Sequence, residues 1–144
     1  MKYENLKRRT KKFGLDVIQL VEKLPSDQVT KVLSNQLLRA GTSVGANYRS
    51  ACRAKSPADF ISKLGFVEEE ADESGYWLEM LVDAGKVASK TVSPLIQESA
   101  ELTAIAVASI NTARHSGTRA VDTRRGQLPR PSSTFRTPHS ALRT

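Results

Sequence analysis

The sequence predicts an all-α protein: an antiparallel up-down-up-down four-helix bundle followed by a disordered basic C-terminal tail. Three observations carry that expectation. Apolar residues recur at three-, four- and seven-residue steps in four separate segments between Glu4 and about Arg114. Pro25, Pro57 and Pro94 punctuate those segments where a helix would stop or start. Aromatic residues are only 6% of the chain, so a core must be filled with Leu, Val, Ile and Ala. That suits helices better than a sandwich.

The first helix is expected from Glu4 to Leu24. Leu6, Phe13, Val17, Leu20, Val21 and Leu24 form one stripe. Pro25 stops it, because proline lacks the amide donor a helix needs. The second starts near Ser26 or Asp27, either of which can cap it. Its stripe is Val29, Leu33, Leu37, Ala40, Val44, Tyr48 and Ala51, with Gln36 and Asn47 on the same face. Gly41 and Gly45 flank that stripe, one turn apart. Glycine inside a helix costs roughly 1 kcal/mol against alanine. The pair therefore predicts close approach of a neighbouring helix; a break near Gly41 is the alternative.

In the third helix Ser56 is the cap, Pro57 takes the first turn, and Asp59 can return a capping-box bond. Phe60, Leu64, Val67, Ala71, Ser74, Leu78 and Leu81 form the main stripe. Phe66, Trp77, Met80 and Ala84 form a second strip about 100° away. Two apolar strips want two partners. One is the bundle core, and the other is a subunit interface or a further helix of the same chain. Gly85 ends this helix. The fourth has Ser93 as cap and Pro94 in its first turn. It runs through Leu95, Ile96, Leu102, Ile105, Ala106, Val107 and Ile110 and frays near Arg114 to Gly117. Short loops make consecutive helices antiparallel. From Ser116 the composition turns to Gly, Pro, Ser, Thr and Arg without apolar periodicity. The division is a bundle domain over 1–115 and a disordered tail over 116–144.

Net charge is +7. The last 30 residues hold six Arg and one Asp, which leaves 22 − 6 = 16 cations and 15 − 1 = 14 anions in the rest. The body is thus near +2 and the tail near +5, so the high pI is a weak argument for nucleic acid. The single cysteine, Cys52, excludes an intrachain disulfide, and with two His it cannot close a tetrahedral zinc site. There is no apolar signal segment and no run long enough to span a membrane, so a soluble, cytoplasmic protein is expected.

Enzyme motifs are missing. Gly41-Thr42-Ser43-Val44-Gly45 lacks the lysine and the preceding strand of a phosphate loop. The carboxylates from Glu68 to Glu73 lack the helical His that bundle metal sites use. No catalytic residue, metal or cofactor is expected. Glu70 falls between the two apolar strips and is expected to be partly buried, paired with Arg39 or Lys63. The basic residues are better placed. Lys7, Arg8, Arg9, Lys11 and Lys12 lie off the apolar stripe of the first helix, and Arg49 and Arg53 share an outer face of the second. Such patches fit phosphate backbones without base selection. The plainer alternative is a solubilising face, ion-paired to the acidic third helix.

At Gln36-Leu37-Leu38-Arg39-Ala40-Gly41-Thr42-Ser43-Val44-Gly45-Ala46-Asn47-Tyr48-Arg49 the chain resembles the four-helix bundle family of 23S rRNA intervening-sequence proteins. Ser56-Pro57-Ala58-Asp59-Phe60-Ile61, Glu69-Glu70-Ala71-Asp72-Glu73 and Tyr76-Trp77-Leu78-Glu79 extend the likeness, which covers about residues 5 to 114. Many members carry Glu-Gly after the Asn motif. Ser50-Ala51 stands there in this chain, which therefore looks like the ANYR-bearing subgroup. The resemblance implies a homo-oligomer, a pentamer around a central channel. It also implies kinship with the accessory variability protein of diversity-generating retroelements, which binds nucleic acid and a reverse transcriptase. It carries over no catalytic residue.

The expected function is a non-catalytic, homo-oligomeric bundle that binds RNA or DNA through the basic surfaces of its first two helices. Phe66, Trp77 and Met80 would form the subunit interface. The alternative is a scaffold that recruits a reverse transcriptase or ribosomal partner without touching nucleic acid.

Overall fold

The computed structural model describes residues 2–123, with side chains over 4–116. Four helices follow in order: α1 (Lys2–Glu22), α2 (Gln28–Cys52), α3 (Pro57–Asp83) and α4 (Ser89–Thr123). Neighbours in sequence are neighbours in space: α1 packs on α2, α2 on α3 and α3 on α4, while α1 and α4 meet far less closely. This is the expected all-α, up-down-up-down bundle. No described helix is long and apolar enough to cross a membrane.

The core is the set of predicted stripes. Phe13, Leu37, Leu64, Leu78, Leu81 and Val17 are its largest fully buried side chains. Thr10, Ser74 and Ser99 join them and keep their hydroxyls satisfied by bonding back to their own helices, at Leu6, Glu70 and Ile96 carbonyls. Val29 is a correction: it is 52% exposed. It sits in the first turn of α2, at the edge of the buried face. Thr30 is buried there instead, its hydroxyl donating to Asp27 at 2.7 Å.

Asp27, not Ser26, caps α2, accepting from the Thr30 amide at 3.0 Å. Ser56 caps α3 through the Asp59 amide, at 3.1 Å. The Asp59 carboxylate accepts from the amide of Lys55, one residue before the cap, rather than from Ser56. Gly85, at φ 73°, closes α3: its amide bonds to Val82 O and that of Lys86 to Leu81 O, both at 2.9 Å. This is a Schellman ending, which needs the left-handed conformation that glycine adopts without strain. The same turn lets the Lys86 ammonium reach Asp27 at 3.2 Å, tying the end of α3 to the cap of α2.

α1 ends at Glu22, two residues short of the expected Leu24, and both boundaries of α4 differ from the periodicity. α4 begins at Ser89, a turn before the expected cap, and Pro94 lies inside it. Ser93 donates to the Ser89 carbonyl at 2.8 Å instead of capping. At its other end α4 continues through Arg114–Gly117 to Thr123, because no proline or left-handed glycine stops it there. The remainder of the expected tail, 124–144, lies outside the described residues.

The helix break at Gly41 does not occur; α2 is continuous. A Cβ on Gly41 would meet Val17 Cγ2 at 2.9 Å, and one on Gly45 would meet the Thr10 and Lys11 backbone at 3.2 Å. Gly14 returns the contact, its would-be Cβ 3.4 Å from Gly41 O. The three glycines let α1 and α2 cross almost backbone to backbone, as the Gly41/Gly45 pair predicts.

Candidate nucleic-acid interface

Close crossing of α1 and α2 leaves a shallow groove of about 560 Å³ above the glycines. Gly14, Gly45 and Ala46 give it a floor with little side chain, and Leu15 and Ile18 add an apolar wall. Lys7, Arg8 and Lys11 stand on the α1 bank and Arg49 on the α2 bank. A second hollow of about 380 Å³ begins where the first ends, sharing Ala46 and Arg49. Arg53, Lys55 and Lys63 line it, with Asp59 as the single acid. The two hollows make one path over α1, α2 and the start of α3, with seven cations along it.

These cations reach the groove because of helical phase. Lys11 follows Lys7 by four residues and Arg8 by three, which puts the three on one side of α1, and Arg53, the C-cap of α2, follows Arg49 by one turn. The side chains of Arg8, Lys11, Arg49, Arg53, Lys55 and Lys63 make no ion pair among the described residues. Lys7 reaches Glu4 at 3.3 Å, an exposed pair.

Two of the expected phosphate contacts fall elsewhere. Arg9 is directed at α4: its Nε donates to Glu98 Oε2 at 2.9 Å and its Nη2 to Oε1 at 2.6 Å. Glu101 lies 3.4 Å from the same Nη2. The hydrogen bond to Glu98 raises the Arg9 pKa above its ordinary value. One step of about 100° beyond Lys11, Lys12 has left the groove. It holds Asp16 at 2.6 Å, which raises its pKa, and it also feels the charge of Glu98 on α4. Lys55 and Lys63 are groove residues that the patch on the first two helices left out. Their signal was Lys55 two residues beyond Arg53, and Lys63 one turn after Asp59.

The expected Arg39–Glu70 pair is not closed. No hydrogen bond or ion pair joins them among the described residues. Glu70 Oε2 is buried without a hydrogen-bond partner. Burial pushes the Glu70 carboxyl up, Glu73 adds to the rise, and the Arg39 charge opposes it across space. Arg39 stays exposed because its guanidinium keeps its hydration there.

Around Glu70 lies the second apolar strip. Phe66 is 49% exposed, Trp77 and Met80 are half-buried, and Ala84 is exposed. Trp77 Nε1 donates to Glu73 at 3.2 Å, and the Tyr76 ring meets the Trp77 ring edge-on. Antiparallel α2 brings Arg39 to the level of Glu70. Seven residues back along α2 comes Val32 and seven residues on along α3 comes Trp77, and Val32 is 56% exposed. Among the described residues no three His, Cys, Asp or Glu side chains form a group able to hold a metal ion.

A family model described as 23S rRNA-intervening sequence protein matches residues 4–108. The crystal structure of a protein of unknown function from the S23 ribosomal protein family of Bacteroides thetaiotaomicron superimposes with a TM-score of 0.71. The two chains are 35% identical, over 77% of this chain and 99% of that one. No curated protein matches this chain.

Proposed function

The chain belongs to the 23S rRNA-intervening sequence protein family, and on that footing we propose a non-catalytic module that grips the phosphate backbone of RNA or DNA in the α1–α2–α3 groove. The observation that carries this reading is the continuous row of seven cations against a single acid. Cations on helices are held at fixed spacing, and a phosphate chain offers them a matching row of charges. The groove supplies no nucleophile with a neighbouring base, so it supports binding rather than a chemical step.

The test is a salt titration of RNA binding by the full chain. With about five phosphates neutralised, affinity should fall roughly 10²–10³-fold between 50 and 200 mM salt. Arg49→Glu with Arg53→Glu should abolish binding at low salt. An affinity indifferent to salt would sink the reading.

A second reading concerns the α2–α3 face. Phe66 and Tyr76 on α3 and Val32 on α2 are large, apolar and about half exposed, and Phe66 stands one turn before the buried carboxylate of Glu70. That composition favours a protein contact, and self-association into a ring is the version proposed. Trp77 and Met80 would complete the interface. A reverse transcriptase or ribosomal partner would compete for the same face. Light scattering of the purified chain checks self-association, and a clean monomer removes it. Val32→Asp should dissociate an oligomer built on this face and leave one built elsewhere intact.

A further inference from the structure

We infer that the groove takes double-stranded rather than single-stranded nucleic acid, an inference that rests on the phosphate-binding reading above. Proteins that hold single strands combine a basic track with aromatic side chains on which the splayed bases stack. Among the described residues the track has no such platform. None of the residues lining either hollow is Phe, Tyr, Trp or His. Among the described residues the exposed Phe and Tyr side chains, Phe66 and Tyr76, lie on α3 outside both hollows. Unstacked bases would meet Leu15, Ile18 and Ala46 and gain little from them.

Rigidity argues the same way. Five of the seven cations stand on helices and Arg53 and Lys55 in the short turn between α2 and α3, and α1 and α2 are locked together where Gly45 meets the Thr10 and Lys11 backbone. A fixed array of charges matches a fixed array of phosphates. A duplex supplies one, with a charge about every 1.7 Å of its axis. A flexible strand must be ordered first, which costs conformational entropy that stacking would normally offset. The groove is also shallow and open, so a duplex backbone can be laid along it without being threaded. The row reads neither base edges nor strand chemistry, so RNA and DNA duplexes are both ligands by this criterion.

The experiment uses the full chain and fluorescence anisotropy at one low salt concentration. The probes are a short RNA duplex, the DNA duplex of the same sequence, and the separate strands of each, chosen not to fold. Both duplexes, or the RNA or DNA duplex alone, should bind ~10-fold or more tighter than their strands. Arg49→Glu with Arg53→Glu should lose the duplex, whereas Lys31→Glu with Lys90→Glu, outside the groove, should keep it. Lys11→Gln with Lys63→Gln gives a milder disruption should the first pair unfold the chain. Strands bound as tightly as duplexes overturn the inference and leave the phosphate groove standing. No binding to any probe overturns both. Duplex binding that survives both groove variants places it elsewhere on the chain and also overturns the inference.

Discussion

Arg9 of α1 and Glu98 of α4 form a two-pronged ion pair, 2.9 and 2.6 Å, across the one side of the bundle where the helices barely touch. Paired fork to fork, the two side chains fix each other's orientation as well as their charge. Exposed pairs contribute about 0.2–1 kcal/mol in double-mutant cycles, and a two-pronged, part-shielded pair belongs near the top of that range. The cycle of Arg9→Ala, Glu98→Ala and the double variant, followed by urea unfolding, should give a coupling near 1 kcal/mol. Arg9→Ala should weaken RNA binding far less than Arg49→Ala. Equal losses would put Arg9 back among the phosphate contacts.

Glycines 41 and 65 should respond to alanine in opposite directions. A methyl at Gly41 meets three Val17 carbons within 3.2 Å, and Val17 is buried and stiff at its branched Cβ. Overpacking costs about 1–3 kcal/mol, more than the roughly 1 kcal/mol alanine gains in helix propensity. Gly41→Ala should therefore lower the unfolding free energy. Gly65 has nothing within 4 Å of its would-be methyl, so Gly65→Ala should raise it by up to ~1 kcal/mol. Urea midpoints of the two variants settle the sign.

Glu70 should make the protein less stable as pH rises. Its carboxyl is raised in the fold, first by burial and then by Glu73, so the folded state holds its proton more tightly than the unfolded state does. Stability linked to it is greatest below the unfolded pKa and is lost as pH rises through the folded one. Glu70→Gln should raise the melting temperature at pH 7 and change it less at pH 3. Arg39→Ala should do the opposite at pH 7, because the Arg39 charge is what opposes the rise. A Glu70→Gln melting shift independent of pH would contradict this account.

Asp27 works with the reverse sign. Hydrogen bonds from the Thr30 amide and hydroxyl, then Lys86, lower its pKa to about 2. Its contribution is complete above the ordinary carboxylate range near ~4 and is lost as pH falls toward 2. The melting-temperature gap between the parent and Asp27→Asn should be constant at neutral pH and close between about pH 4 and pH 2. A gap that persists in acid would assign the effect to the cap geometry alone.

Much of the fold was legible because a bundle writes its core at helical spacing. Phe13, Val17, Leu37, Leu64, Leu78 and Leu81 were all placed by period. Gly41 and Gly45, by being costly where they stand, announced the close approach of a neighbouring helix, which the fold shows to be α1. At Val29 apolarity misled the phase, because the polar Thr30 lies nearer the middle of the buried face. At α4 periodicity gives the phase of a face but not where the helix starts. The groove was half legible. Lys7, Arg8, Lys11, Arg49 and Arg53 share phases that the sequence displays, whereas Lys55 and Lys63 reach it only through the turn into α3.

By itself the sequence determined the helices, the cap at Ser56, the stop at Gly85 and the family to which they belong. These depend on neighbours within about four residues, and local physics suffices for them. Tertiary structure alone decided which charges are spent inside the fold. Arg8, Arg9, Lys11 and Lys12 are equivalent as a run of cations. Only the position of Glu98, some ninety residues on, turns Arg9 into a clamp and leaves Arg8 and Lys11 to the groove. Arg39 and Glu70 show the converse: helical phase brings them level, but solvation keeps the arginine in water and the carboxylate without its bond.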